Sequence, residues 1–412
     1  MARSAEPVES DGSDTPIPPG SRRRRIGLLA GVAGLAGVSI SVWALADTSA
    51  PGGSTTTTTT GSAGSTAQPQ QPAGPPGIAT PGGAGPGTGA FNAVTCTATT
   101  ICVAVGAGPS GAGEVATTAD GGKTWTNEPT PAGVPQLDAV TCPSTTICVA
   151  VGEDAALLST TGGATWTSEP LPGKATTLLG VTCVTTSSCF AAGTQPGAQG
   201  GQGTVLATAN SGATWTTVVL PAGAPGLGSV ACPTATSCVA VGDGIYVTID
   251  GGQTWQQRTI PGGIPTLRSV VCPTATRCVA VGPNASGNND PTAAADVVAS
   301  GDGGATWNLI SAPKGSAATF QISCDTTAEC FAVGPTMQPG GAATFLVTPD
   351  AGKSWVNAPA PPGLNAVADL SCPAVHRCVA VGAQQTGPAT AVTTDGSTWA
   401  VQPETLQVGV GP

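Results

Sequence analysis

Fourteen cysteines are the residues in this chain best suited to chemistry, and their spacing decides which chemistry. They fall in seven pairs, each with five residues between: Cys96 and Cys102, Cys142 and Cys148, Cys183 and Cys189, Cys232 and Cys238, Cys272 and Cys278, Cys324 and Cys330, Cys372 and Cys378. A zinc site would need C-x2-C spacing or histidines, and the chain has one histidine, His376. A thiol redox motif needs two intervening residues. Paired thiols with none left over read as seven local disulfides, which place this part of the chain in an oxidising compartment. A second recurring group is carboxylate: Asp120, Asp250, Asp302 and Asp350 each follow a Thr or Ser by two positions and precede a Thr-Trp or Ser-Trp by four. A carboxylate so placed accepts hydrogen bonds from turn amides, so its expected role is structural. Thr161 and Asn210 replace it in two further copies, and Asp395 sits one residue out of register in the last.

The elements that must position these groups form a repeat. Each copy reads L-x-x-V-x-C-(x5)-C-V-A-V-G, a variable stretch, then T-x-D-G-G-x-T-W. The closing tryptophans, Trp125, Trp166, Trp215, Trp255, Trp307, Trp355 and Trp399, lie 40 to 52 residues apart. That period with strand-like segments predicts an all-β fold, a seven-bladed β-propeller with one local disulfide per blade. In the second copy Leu137 to Cys142 is strand one, Cys148 to Gly152 strand two, Ala155 to Ser159 strand three, and Thr165 to Thr167 opens strand four. A disulfide closing so short a hairpin contributes about 2 kcal/mol on the chain-entropy account.

The turn Thr118, Asp120, Gly122, Thr124 and Trp125 resembles the Asp-box of sialidase-type propellers, as do Thr248 to Trp255 and Ser300 to Trp307. The whole repeat is similar to the photosystem II stability and assembly factor-like propellers, whose second strand reads G-W-A-V-G where this chain has Cys238 to Gly242. That resemblance implies the fold over all seven repeats; the cysteine pairs depart from it, and the family's function is not carried over. A sialidase-like glycosidase would need an arginine trio and a tyrosine nucleophile. The domain offers Tyr246, Arg258, Arg268, Arg277 and Arg377, and two of these arginines sit in the cysteine hairpins. A two-carboxylate glycosidase could draw on Asp138 and Asp369, but all seven domain tryptophans are committed to the repeat and leave no sugar platform.

Ahead of the repeats the chain changes character. Residues 1–25 are polar and end in Arg22, Arg23, Arg24 and Arg25; residues 26–46 form an apolar run; residues 47–89 are a Thr-, Pro- and Gly-rich linker expected to be disordered; residues 90–412 hold the propeller. Twenty-one apolar residues span about 32 Å, enough for a transmembrane helix. The arginines keep the N-terminal side in the cytoplasm and put the propeller outside it. The rival reading is a signal segment cleaved after Ala46, at Ala44-Leu45-Ala46. As a coil the linker spans roughly 36 Å.

Composition limits the partners. The chain carries a formal net charge of −10 with 9% charged residues and no basic stripe, so no nucleic acid is expected. No cofactor or metal is expected either, and oligomeric state is not legible. The cysteine hairpins and aspartate turns should share one face, while strand two–three loops and blade linkers share the variable face where binding usually resides. The longest variable loop is Gly282 to Ala299, with Asn284, Asn288, Asn289, Asp290 and Asp296. At the channel mouth, Asn92, Asp138, Arg268, Gln321 and Asp369 break the small or apolar pattern of strand one and form the expected ligand-contacting set. The expected function is an exported, membrane-tethered, non-catalytic scaffold that binds an envelope protein or glycan; the alternative is a secreted Asp-box-superfamily glycoside hydrolase.

Overall fold

The structure is a computed structural model that describes residues 89–403, apart from 174–175, 198–199, 285–292, 317–318, 337–340 and 385–386. The expected transmembrane segment, the linker up to residue 88 and residues 285–292 of the Gly282–Ala299 loop lie outside the described residues. Among the described residues no helix is long and apolar enough to cross a membrane.

Seven four-stranded antiparallel sheets follow one another along the chain, each built from consecutive strands. Numbered in chain order, the blades begin at Ala90, Leu137, Thr177, Leu227, Ser269, Gln321 and Ala366. First strands adjoin first strands around a closed circle, that of blade 7 lying against that of blade 1. The first strand of each blade is therefore innermost. The ends share no strand: blade 1 uses only residues 90–128 and blade 7 only residues 366–403.

Strand two shows why the sequence must fold this way. Cys-Val-Ala-Val-Gly has no polar alternation, and in blades 2, 4 and 5 all five residues are buried. A strand covered on both faces needs such a run. Each face packs on a neighbouring blade, and seven apolar clusters fill the seven seams. Each cluster takes in one repeat tryptophan, all 5–9% exposed, packed against the preceding blade. The outermost strands are only two to five residues long and mostly exposed, and short edges resist pairing with other chains.

All seven disulfides form within their own hairpins, with Cα atoms 3.9–4.1 Å apart. The aspartate turn of each blade rests on the cysteine hairpin of the same blade. Backbone N–H groups of Gly121, Gly162, Ser211, Gly251, Gly303 and Ala351 donate to carbonyls of Thr100, Thr146, Ser187, Thr236, Thr276 and Ala328 at 2.6–3.0 Å. Hairpins and aspartate turns thus share one face, as the repeat implies.

Within the turn, Asp250 accepts from the amide of Thr254 at 2.9 Å and from the hydroxyl of Thr248 at 2.8 Å. Asp302 and Asp350 repeat the pattern. Asp395 keeps the offset that the sequence shows. The turn is one residue shorter, yet Asp395 accepts from the amides of Ser397 and Thr398 and from the hydroxyls of Thr393 and Thr398. Asn210 and Thr161 reproduce only part of the pattern, accepting from Thr214 and Thr165 amides at 2.9 and 2.8 Å.

The second glycine of the turn is required twice over. At Gly352 φ is +79°, and a Cβ would lie 2.5 Å from a methyl of Val279 on the preceding blade. Gly133 also has positive φ, +79°, but with open space around it. Gly352→Ala should therefore lose about 2–3 kcal/mol in denaturant unfolding. Gly133→Ala should lose about 1 kcal/mol, backbone strain alone. Equal losses would show that the seam yields freely.

Candidate functional site

The inner strands carry a shared irregularity that builds the channel mouth. In blades 1, 2, 4 and 7 the pairing of strand one with strand two slips by a residue, between Phe91 and Ala93, Leu137 and Ala139, Leu227 and Ser229, and Val367 and Asp369. In blade 3 the slip appears opposite Ala192 and Gly193. The extra residue stands four before the cysteine each time. A bulge needs the partner backbone to approach closely, and the glycine ending strand two permits this. A Cβ on Gly106, Gly152, Gly193, Gly242 or Gly382 would lie 2.0–2.1 Å from a carbonyl oxygen of strand one.

The position four before the cysteine is occupied in turn by Asn92, Asp138, Leu179, Gly228, Arg268, Phe320 and Ala368; in blades 5 and 6 it stands just ahead of strand one, whose pairing runs without a slip. Side chains at this position meet between neighbouring blades. Asn92 Nδ2 donates to Leu137 O at 3.0 Å and to Asp138 Oδ1 at 3.5 Å. The Arg268 guanidinium lies over the Phe320 ring, 5.8 Å from its centroid. These residues form a ring at the end opposite the cysteine hairpins, beside the strand two–three turns. Asn92, Asp138, Arg268 and Phe320 are each half-buried.

The ring is electrostatically uneven. Burial pushes the Asp138 carboxyl up to about 6; the amide of Gln136, 2.7 Å away, opposes this, and the charge of Glu153 adds to it. Burial also lowers the Arg268 guanidinium, with Asp243 pulling it back. Arg268 Nε is buried with no acceptor. One arc of the mouth is thus acidic and amide-rich, and another offers a cation stacked on an aromatic ring.

Of the five residues expected from sequence to line the mouth, three fall on this ring. Gln321 and Asp369 stand one position further on, three before the cysteine, where side chains join blades. Ser229 Oγ accepts from Val270 N at 3.3 Å, and Ser269 Oγ accepts from Ile322 N at 3.4 Å. Asp369 Oδ2 accepts from Val94 N at 2.9 Å across the closing seam. Burial pushes this carboxyl up to about 7, against the bonds from Val94 and Leu370 amides. Asp369 is therefore a seam clasp, set one position past the ring on which it was expected. Sequence reading missed Phe320, Leu179, Gln136, Glu153 and Asp243. A constant offset of four before each cysteine would have found Phe320 and Leu179.

The other groups weighed for catalysis are dispersed. Tyr246 is 1% exposed inside the seam of blades 3 and 4. Arg277 bridges hairpin to turn, donating from Nε to Ala351 O at 2.6 Å on the opposite face. Arg258 binds Gln256 on an outer strand at 2.9 Å.

No protein-family model matches this chain, and no curated protein matches it. Solved structures do share its fold. YCF48 bound to D1 peptide aligns at TM-score 0.52 and 16% identity, covering 76% of this chain and 92% of that one. YCF48 from Cyanidioschyzon merolae aligns at TM-score 0.52 and 15% identity over 76% and 97%. The GH74 xyloglucanase from Xanthomonas campestris aligns at TM-score 0.55 and 13% identity, covering 77% of this chain and 55% of that one. The fold is thus that of the assembly factor-like propellers the repeat resembles, and it also serves glycoside hydrolases.

Proposed function

We propose that this chain is an exported, membrane-tethered, non-catalytic propeller that binds a protein segment at the mouth formed by the strand-one bulges. The observation that carries this reading is Arg268. Its guanidinium is stacked on Phe320, and its buried Nε lacks an acceptor, so it is set to receive a carboxylate or a backbone carbonyl. The acidic arc around Asp138 would fix the orientation of the guest. Seven local disulfides support a location outside the cytosol, and the apolar run at residues 26–46 supplies the tether, or a leader cleaved after Ala46. A propeller of the same fold, YCF48, has been captured with a peptide. The Asp-box motif in this reading is a scaffold device.

Crosslinking of the intact chain in its own envelope, followed by mass spectrometry, tests the proposal. The expected partner should attach at the mouth. Arg268→Ala should weaken its binding about 10-fold or more, while Ile249→Ser on the opposite face should leave binding unchanged. Crosslinks confined to the hairpin face would overturn the reading.

One observation favours a glycoside hydrolase as the second reading: Asp138, pushed up to about 6, lies near Glu153, as an acid beside a carboxylate would. Turnover of xyloglucan or sialosides that Asp138→Asn abolishes would establish it. No turnover by folded protein would leave the binding reading in place.

A further inference from the structure

On the face away from the mouth, the five-residue loops between paired cysteines are built mainly of Thr, Ser, Ala and Pro. Across all seven loops the only carboxylates are Asp325 and Glu329, which flank the loop of blade 6. The only imidazole of the whole chain, His376, sits in the adjoining loop of blade 7. The fold brings the three together. His376 Nδ1 is 3.1 Å from Glu329 Oε2 and 3.9 Å from Asp325 Oδ2. The His376 amide donates to Asp325 Oδ2 at 2.8 Å, and the residue takes a left-handed φ of +59°. The Asp325 side chain has 0% exposure, and its Oδ1 has no hydrogen-bond partner. A buried carboxylate oxygen without a donor needs an explanation, and a cation is the simplest.

We propose that Asp325, Glu329 and His376 bind a divalent transition-metal ion, zinc by preference, which clasps the hairpins of blades 6 and 7. One ligating atom from each residue lies within 4.8 Å of the others. Zinc held tetrahedrally by nitrogen and oxygen at about 2.0–2.2 Å sets its ligands roughly 3.3–3.6 Å apart, so small side-chain rotations close the site. One imidazole with two carboxylates suits zinc better than calcium or magnesium, which take all-oxygen shells. The His376 side chain is 49% exposed, so solvent reaches the fourth position. The disulfides leave no free thiol among the described residues to compete for the ion. The clasp is structural and independent of the reading given for the mouth.

The test titrates zinc chloride into chelator-stripped, oxidised full chain, with calorimetry and thermal unfolding as readouts. One ion per chain and a higher Tm are expected, with calcium and magnesium at least about 10-fold weaker. Because the chain has one histidine, its ring NMR signals report directly on ligation. They should shift in step with the heat. Asp325→Asn, Glu329→Gln and His376→Ala should each weaken binding about 10- to 100-fold. Absence of heat and of any Tm change up to millimolar zinc would overturn the proposal, as would undiminished binding by folded His376→Ala. Should a variant fail to fold, X-ray absorption of the wild-type complex decides. An imidazole in the zinc shell supports the site, and an oxygen-only shell overturns it.

Discussion

Complete reduction of the seven disulfides is expected to unfold the propeller at about 37 °C without denaturant. Each link closes a ring with cysteines six apart in sequence, for which the chain-entropy account gives about 2 kcal/mol. Seven such links sum to roughly 15 kcal/mol, the size of a whole domain's stability of about 5–15 kcal/mol. The links lie in different blades, so their effects should add. Replacing one pair, Cys232→Ala with Cys238→Ala, should cost about 2 kcal/mol and leave a folded ring. The seven repeat tryptophans report the event, since they lie in the seams and become wetted when blades part. Their emission should shift to the red as reductant is titrated. Native emission from a chain whose thiols have all been alkylated would show that packing alone sustains the ring.

The second large effect concerns pH. Asp369 clasps the seam that joins the first and last blades without a shared strand. Its folded carboxyl titrates at about 7, while the unfolded group titrates near 3.9. Between these values the folded protein holds a proton that the unfolded chain has released. Stability is then fully present below about pH 4 and falls as pH rises through 7, by up to about 4 kcal/mol. Asp138, raised to about 6, adds a contribution of the same sign that is complete about one pH unit earlier.

The aspartate turns act in the other direction and in a lower window. The Thr254 hydroxyl and amide, with the Thr248 hydroxyl, hold Asp250 at about 2. At Asp350 burial pulls upward, and bonds from Ser354 and Thr348 still hold it at about 2. Their contribution is present above about pH 4 and fades as pH falls through 2. The stability optimum should therefore lie near pH 4, unusually acidic for a folded domain. Thermal unfolding from pH 3 to pH 8 tests this. Asp369→Asn keeps an oxygen to accept from Val94, so it should flatten the fall between about pH 4 and 7 and raise Tm at pH 8. An unchanged slope in Asp369→Asn would mean that the carboxyl is hydrated in solution.

The repeat, blade number, disulfide partners and shared face of hairpins and turns were legible in the sequence because each is local. Cysteines six apart can pair within one hairpin, and Cys-Val-Ala-Val-Gly cannot tolerate water on either side. The residues that face the mouth depend on where strand pairing slips. Asn92 and Asp138 looked equivalent to Gln321 and Asp369 in a pattern of apolar breaks, yet a one-residue bulge puts the first pair on the ring and Asp369 on a seam. Asp325, Glu329 and His376 are separated by up to 51 residues and were silent in sequence, because only packing of blade 7 against blade 6 brings their hairpins together. Chain-local chemistry fixed the blade; the closing of the ring, which brings distant loops into contact and buries charges that would otherwise be solvated, decided the sites.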